Sequence, residues 1–468
     1  MRNYNTTLLP VSALLALLAV SGCATPAVAP LQSQPLTPAA LAVSEAATPF
    51  AADWWRALND ASLEQLLAQA LRSNPGLDAA DARLRAARAG IASVASNDGL
   101  KVNGNLGASR ARTSEFDALP PAMLGQWTTL QTVSADFSYR FDFWGKTRAQ
   151  LAAARGQARA TELEASDARQ SVAYALVGSY LEWRGAQAAL TLLQQDRQQA
   201  ASLLQNAEQR VKHGLAQPDE VLQARAQLAD SDERLLRGEQ RISAAAHALA
   251  ALSAQPQAAI DALPAAALPQ WTLDTAPLSS GQLGLRADVQ AARERVEASR
   301  GNVAAARADF YPDVRLNLMA GLSAQELGDL FSPGARVLRL APALTLPLFS
   351  NGELNARLDS RSAELEAAIA SYNQTLLNAI RDTADHSSQL VRLHSAEAAK
   401  QQALLARRDS VAKVQSRASA GLATPASLLA EQRQLTQARL AALELHTQRL
   451  QSQAALIRTL GTAPAATR

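Results

Sequence analysis

From Lys146 to Val211 the chain runs for 66 residues without a proline, built largely from Ala, Gln, Glu, Arg and Leu, all of which favour a helix. A single helix of that length would be about 100 Å long, roughly three times the hydrocarbon thickness of a bilayer. No ordinary globular core calls for such an element. Its larger apolar residues, Val172, Leu176, Tyr180, Trp183, Leu190 and Leu193, are spaced by three, four or seven, which makes one stripe and not an apolar cylinder. The helix is therefore expected to pack on other helices, not in lipid. Taken by itself, the stretch reads most simply as a coiled-coil stalk.

The chain, however, writes this plan twice. The turn Gly214-Leu215-Ala216-Gln217-Pro218 is matched 207 residues later by Gly421-Leu422-Ala423-Thr424-Pro425. The register holds beyond it, with Leu222 on Leu429, Gln227 on Gln434 and Leu228 on Leu435, and upstream with Gly145 on Gly352. A second proline-free stretch, Glu353 to Ser419, supplies the second long helix. Each repeat predicts a short helix (Leu77 to Ser96, then Val289 to Asp309), two strands, the long helix, a Gly/Pro turn and a return helix. The return helices are expected at about Asp219 to Leu252 and Ala426 to Leu460. In the first, Val221, Leu228, Leu235, Ile242 and Leu249 recur every seven residues, the seam of a left-handed coiled coil.

The N-terminus reads as an export signal. Arg2 precedes an apolar run, Leu8 to Val20, too short to span a membrane as a helix. The run ends in Val20-Ser21-Gly22-Cys23, which resembles the bacterial lipobox, with Cys23 as the lipidated mature terminus. Cys23 is also the only cysteine, so no internal disulfide can form. Ala24 stands where an aspartate would signal inner-membrane retention, which points to the outer membrane. The expected organisation is a signal peptide at 1–22, a lipidated Pro/Ala/Ser/Thr-rich tether at 23–52 and a first repeat at 53–255. A linker at 256–285, a second repeat at 286–462 and a tail at 463–468 follow. The chain is 48% hydrophobic but only 4% aromatic, because alanine supplies much of its apolar content, and alanine suits close helix packing. Its net charge of +3 is spread among interleaved acids and bases, so nothing marks a nucleic-acid surface.

Between the short and long helices lie segments of strict alternation. Thr132 to Asp142 places Val133, Ala135, Phe137, Tyr139 and Phe141 in one phase, and Val314, Leu316, Leu318, Ala320 and Leu322 do the same in the second repeat. Lys101 to Arg110 and Leu338 to Leu346 are the expected partners, although Pro342 argues against the last, since proline cannot donate to a ladder. Each segment has the length of a tilted transmembrane strand, about 9 to 11 residues. Four strands are too few to close a barrel, and an open edge is not viable in lipid. A barrel must then be shared between copies, with eight strands for a dimer or twelve for a trimer.

These residues, in their order, resemble the outer-membrane factors of the TolC type, and among them the NodT-like lipoproteins. The resemblance rests on the lipobox, on Asp53-Trp54-Trp55-Arg56 with Leu58, Asp60 and Leu63, and on Asn74-Pro75. It rests further on Phe141-Asp142-Phe143-Trp144-Gly145, Phe310-Tyr311-Pro312, Leu346-Pro347-Leu348-Phe349 with Gly352, and the paired Gly-Leu turns. Leu285-Arg286-Ala287-Asp288 departs from the Arg-Pro-Asp common in such proteins. The resemblance implies a mainly helical chain with a membrane β-barrel: a homotrimer whose long coiled-coil helical barrel is continuous with a twelve-stranded β-barrel, four strands per chain. It implies an outer-membrane duct that receives small molecules or drugs from an inner-membrane transporter through a periplasmic adaptor. A duct for type I protein secretion shares that fold, and an adaptor lipoprotein would explain the rods but not the strands. On the same resemblance the Gly-Leu turns are periplasmic tips, with Arg210, Gly214, Leu215, Arg417, Gly421 and Leu422 as adaptor contacts. Asp219 and Glu220 are candidate gate charges. Ser427 and Ala430 stand where some relatives carry aspartates, and Glu431 is expected as a solvated helix-face charge.

No catalytic, cofactor-binding or metal-binding constellation is expected. The five histidines, His213, His247, His386, His394 and His446, are scattered, and the sequence has no phosphate-binding glycine loop and no nucleophile elbow.

Overall fold

The computed structural model describes residues 32–37, 50–118, 120–264, 266–273, 286–347 and 351–462. The signal peptide, Cys23, most of the tether, Leu348 and Phe349, much of the linker and the C-terminal tail lie outside them.

Eight α-helices and four strands are present among the described residues: α1 (Ala61–Ser73), α2 (Pro75–Ala95), β1 (Lys101–Arg112), β2 (Trp127–Phe141), α3 (Lys146–Lys212), α4 (Pro218–Ser253), α5 (Gln257–Asp261), α6 (Ala287–Ala308), β3 (Asp313–Ala324), β4 (Arg336–Thr345), α7 (Asn351–Ser419) and α8 (Pro425–Leu460). The two long helices hold 67 and 69 residues, as the proline-free stretches predict. The start of α3 has a local cause. Gly145 turns the chain at φ 75°, and the Asp142 carboxylate accepts the backbone N–H groups of Thr147 and Arg148, each at 3.0 Å. Burial raises the Asp142 pKa, but those N–H bonds and the Arg148 guanidinium outweigh it, so the carboxyl titrates below its ordinary value. At α4 and α8, proline stands in the first turn, where its missing N–H costs nothing.

The chain divides into two compact units. The first contains Leu84–Thr161 and Ala292–Tyr372 and carries the sheet, ordered β1-β2-β3-β4 with every pair antiparallel. The β2–β3 pairing joins the two hairpins, a contact across repeats that alternation alone does not specify. β2 begins five residues before the expected Thr132, because Trp127 to Thr129 pair with Arg110 to Arg112 and the Arg110 guanidinium sits 5.4 Å from the Trp127 ring centre. Pro342 does lie in a strand, opposite Leu316 on the edge strand β4, where one side of the ladder is open. In the same unit α3 and α6 approach closely: a Cβ on Gly301 would meet Ala153 at 3.0 Å.

The second unit contains Leu36–Arg83, Glu162–Ala291 and Asn373–Arg468, and holds the main apolar core. Leu63, Leu66, Leu67 and Ala70 of α1 pack with Leu176, Tyr180, Leu249, Ile260 and Leu450. α1 is a further helix ahead of the one expected from Leu77, and its signal is local. Asp60 accepts the N–H groups of Ser62 and Leu63 at 2.9 and 3.1 Å, the cap of a helix whose apolar residues fall at the spacing of one face. Tyr180 donates its hydroxyl to the other Asp60 oxygen at 2.6 Å. Arg184, 1% exposed, donates to that hydroxyl and to the Pro264 carbonyl. Buried away from water, the Tyr180 hydroxyl is pushed well above its usual range, and its bond to Asp60 adds to the shift.

Helix order in this unit follows from its contacts. α4 meets α3 where Leu193 fills the space over Gly238, and α3 meets α8 where Thr447 closes on Gly185. Near these contacts lies a buried ion pair. Asp196 of α3, with a side chain 2% exposed, accepts from Arg433 Nε of α8 at 3.0 Å, from Ser231 of α4 at 2.8 Å and from Gln437 at 3.1 Å. Both carboxylate oxygens therefore have protein donors in place of water, which is what makes the burial tolerable.

Candidate functional site

Two features stand apart from the packed helices: the faces of the sheet, and the pair of turns that end the long helices.

Register decides which side chains share a sheet face, since directly opposed residues point the same way. Val102, Phe137, Leu318 and Leu340 form one row across all four strands, and Leu106, Val133 and Leu322 belong to another. The opposite face carries Lys101, Ser138 and Asn317 in one row and Asn103, Asp136 and Met319 in the next. There Asn105 and Ser134 donate to the Asp136 carboxylate. The apolar face is not covered: Leu106 is 84% exposed, Leu338 75% and Leu344 67%. From Val314 to Leu322 the apolar phase runs about 26 Å along the strand, or roughly 20 Å upright at a tilt of about 40°. Aromatic residues mark both ends. Phe116, Trp127 and Phe331 are exposed at the hairpin ends, and Phe141, Phe143, Trp144 and Tyr311 at the helix ends. Trp144 stacks on Tyr311 at 4.8 Å and donates to the Pro312 carbonyl at 2.8 Å. An apolar band between aromatic girdles, with a polar reverse face, is the signature of a strand set that faces lipid on one side and water on the other.

The two turns have one backbone. Gly214 and Gly421 adopt φ of 69° and 71°, a left-handed conformation that costs a side-chain-bearing residue about 1 to 2 kcal/mol. Leu215 N–H donates to the Arg210 carbonyl at 2.8 Å and Gly214 N–H to Val211 at 3.0 Å; Leu422 to Arg417 and Gly421 to Ala418 repeat this at 2.7 and 3.0 Å. The pattern is a Schellman stop, which satisfies the last helix carbonyls. Each following leucine, Leu215 and Leu422, is 70% exposed. Side chains differ. Arg210 donates to Glu220 at 2.8 Å and to the Leu215 carbonyl at 3.2 Å, whereas Arg417 is exposed with no ion-pair partner among the described residues. Asp219 is exposed beside the paired Glu220. At the second turn Thr424 caps α8 by accepting from Ser427 N–H at 3.2 Å. Glu431 departs from expectation: it accepts from Ser410 of α7 at 3.0 Å, tied across the helix pair instead of turned to solvent.

The atypical Arg286-Ala287-Asp288 also finds a structural use. Arg286 grips Asp288 through two nitrogens, at 3.1 and 2.8 Å, and donates to the Thr459 carbonyl. Asp167 shares this cleft with Arg458. Burial, and then the nearby Asp288 charge, raise the Asp167 pKa above its ordinary value. His446 Nδ1 lies 3.1 Å from Glu397 Oε1, and among the described residues no cluster of three or more His, Cys, Asp or Glu could hold a metal. No helix among the described residues is long and apolar enough to cross a membrane.

The chain is similar to known proteins over most of its length. The Outer membrane efflux protein family matches residues 66–255 and 278–462. The multidrug resistance outer membrane protein MdtQ of Escherichia coli O157:H7 is 32% identical over 355 residues, covering 72% of each chain. MdtP of E. coli K12 is 31% identical over 354 residues, covering 73% of this chain and 72% of its own. Among solved structures, the outer membrane protein VceC of Vibrio cholerae superimposes with a TM-score of 0.79 at 31% identity, over 89% of this chain and all of its own. The outer-membrane channel OprN gives 0.80 at 26% identity, over 94% and 99%. With its apolar sheet face, its paired helix turns and these matches across both halves, the chain belongs to the outer membrane efflux protein family.

Proposed function

We propose that three copies of this chain form the outer-membrane duct of a tripartite efflux system, passing small molecules from an inner-membrane transporter and a periplasmic adaptor to the exterior. The observation that carries the reading is the sheet, with an exposed apolar face, a polar reverse face and two edge strands, β1 and β4, without partners in the chain. Lipid excludes an open edge, so β4 of one copy pairs with β1 of the next. Eight strands would leave a bore filled by side chains, while twelve leave an aqueous passage, which favours the trimer over the dimer. The relatives' description as multidrug resistance proteins supports drugs as cargo.

Cys23 anchors each copy to the outer membrane by its lipid. The two turns are the periplasmic tips: Arg210, Gly214, Leu215, Arg417, Gly421 and Leu422 meet the adaptor, with the exposed leucines as apolar anchors. Asp219 and Glu220 place carboxylates at the entrance, and because Arg210 holds Glu220, displacement of Arg210 on docking would free that charge. The channel performs no chemistry of its own and takes its energy from the transporter.

Fractionation of native protein and a Cys23→Ser variant, each run unheated and heated, tests this. An outer-membrane species near three times the 49.5 kDa chain mass that restores drug export to a duct-deficient strain is expected. A monomer released to the periplasm by Cys23→Ser would overturn the duct.

A further inference from the structure

The apolar phase of the sheet is charged at one end only. Towards the hairpins it passes from Leu106 to Arg110 and Arg112 on β1, opposite Thr129 and Trp127, and on β4 it begins at Arg336, opposite Leu322. Towards the helices the same phase holds Tyr139, Phe141, Val314 and Leu344. The cations at the helix end stand off that phase and have partners. Lys101, on the polar face, donates to Asn97, and Arg140 and Arg315 on the same face pair with Asp313. Lys146 pairs with Asp309 and Arg148 with Asp142. At the hairpin end, by contrast, Arg110 and Arg336 are exposed and have no acidic partner among the described residues, and Arg112 shares the exposed Glu115 at 2.9 Å. Asp117, Glu326 and Asp329 lie beyond the strand ends.

The stagger of the sheet brings these arginines to one level. Arg336 stands in the row of Leu106, four residues short of Arg110 and three strands away. That is about 13 Å along the strands against about 14 Å across them, so strands tilted by roughly 45° set the two at the same height. The sense is right, because β1 runs on to Arg112 while β4 begins at Arg336. Trp127, 61% exposed, lies at this level with its ring 5.4 Å from the Arg110 guanidinium, where an aromatic girdle meets headgroups. An arginine there cannot stay in hydrocarbon, but its planar fork matches phosphate oxygens. We infer that Arg110, Arg112 and Arg336 bind the phosphate groups of an acidic lipid in the exterior leaflet. The inference rests on the ring proposed above, which sets β4 of one copy beside β1 of the next. All three arginines then flank a single junction, and each ring carries three such sites. Two unpaired cations and a shared third need more negative charge than a zwitterionic phosphodiester headgroup offers. A headgroup bearing phosphate monoesters, each of about −1.5 to −2 charge at neutral pH, supplies it.

The test uses the full-length oligomer in neutral detergent, titrated with a bisphosphorylated glucosamine lipid, with the same lipid stripped of its phosphates, and with inorganic phosphate. Native mass spectrometry counts bound lipid, and unheated electrophoresis after stepwise warming scores the ring. The phosphorylated lipid is expected to bind and to raise the temperature at which the ring dissociates, and the other two additions to do neither. Arg110→Ser with Arg336→Ser should weaken that binding by about tenfold or more. Arg110→Lys with Arg336→Lys, which keeps the charge and loses the fork, should fall between. Arg339→Ser, on the polar face opposite Met319, should bind as the native protein does. Equal binding of the stripped lipid, or native binding in both the Ser and the Lys variants, would overturn the site and leave the duct standing. An equal effect of inorganic phosphate would overturn a lipid as the ligand. A native chain that forms no ring under any of these conditions would overturn the duct itself.

Discussion

In the helical unit Leu176, Tyr180, Leu249 and Leu450 are 0% exposed, whereas in the sheet Leu106, Leu338, Leu340 and Leu344 stand 65 to 84% exposed. Leucine is equally apolar in both places, so the difference lies in what surrounds it. Water drives the first set into a packed core. The second set is stable only where the surroundings are themselves apolar, and its polar reverse face supplies the wetted side. One chain thus contains two solvents' worth of folding rules, and the sheet's pattern identifies the solvent outside it as lipid.

The largest expected effect separates the two faces of the sheet. Leu318→Arg places a charge on the apolar face at a cost of about 2 to 4 kcal/mol per copy near the bilayer centre, and should abolish outer-membrane assembly. Asn317→Arg, one residue away on the polar face, should assemble, as scored by unheated electrophoresis of outer membranes. Equal tolerance of the two would break the comparison outright. Next in size is a truncation read in both regions. Leu176→Ala leaves a cavity in a dry core and should cost about 3 to 5 kcal/mol. Leu340→Ala on the lipid face loses the transfer term alone, about 2 kcal/mol, because acyl chains fill the space. Melting of the detergent-solubilised oligomers ranks them.

The turns should respond in function before stability. Val at Gly214 and Gly421 meets a left-handed backbone costing about 1 to 2 kcal/mol at each, with nothing within 4 Å of a Cβ at either. Trimers should persist while drug export falls; loss of the trimer would mean that the turns serve folding. The smallest effect concerns pH. The raised Asp167 pKa means that the folded state holds this proton more tightly than the unfolded chain, so stability falls as pH rises from the ordinary aspartate value through the folded one. Asp167→Asn should therefore melt higher than the native protein at neutral pH, with the gain disappearing below the ordinary aspartate range. A gain that is constant with pH would point to packing instead.

The sequence by itself determined everything whose cause is local and periodic. The two long proline-free runs became α3 and α7, and the seven-residue seam from Val221 to Leu249 lies in α4; Gly214 and Gly421 stopped helices because only glycine takes that φ cheaply; alternation at Phe137 and Leu318 set the two phases of the sheet. α1 has an equally local cause, in the Asp60 cap and the spacing of Leu63, Leu66 and Leu67. Tertiary structure alone decided what depends on residues far apart in the chain. The β2–β3 pairing, Arg184 buried against Tyr180, and the Asp196 pair with Arg433 across 237 residues are long-range choices that no local period encodes. Periodicity also cannot tell a buried stripe from an exposed one. Leu235 and Leu236 are adjacent and equally apolar, yet the first belongs to the packed seam of α4 while the second stands 66% exposed.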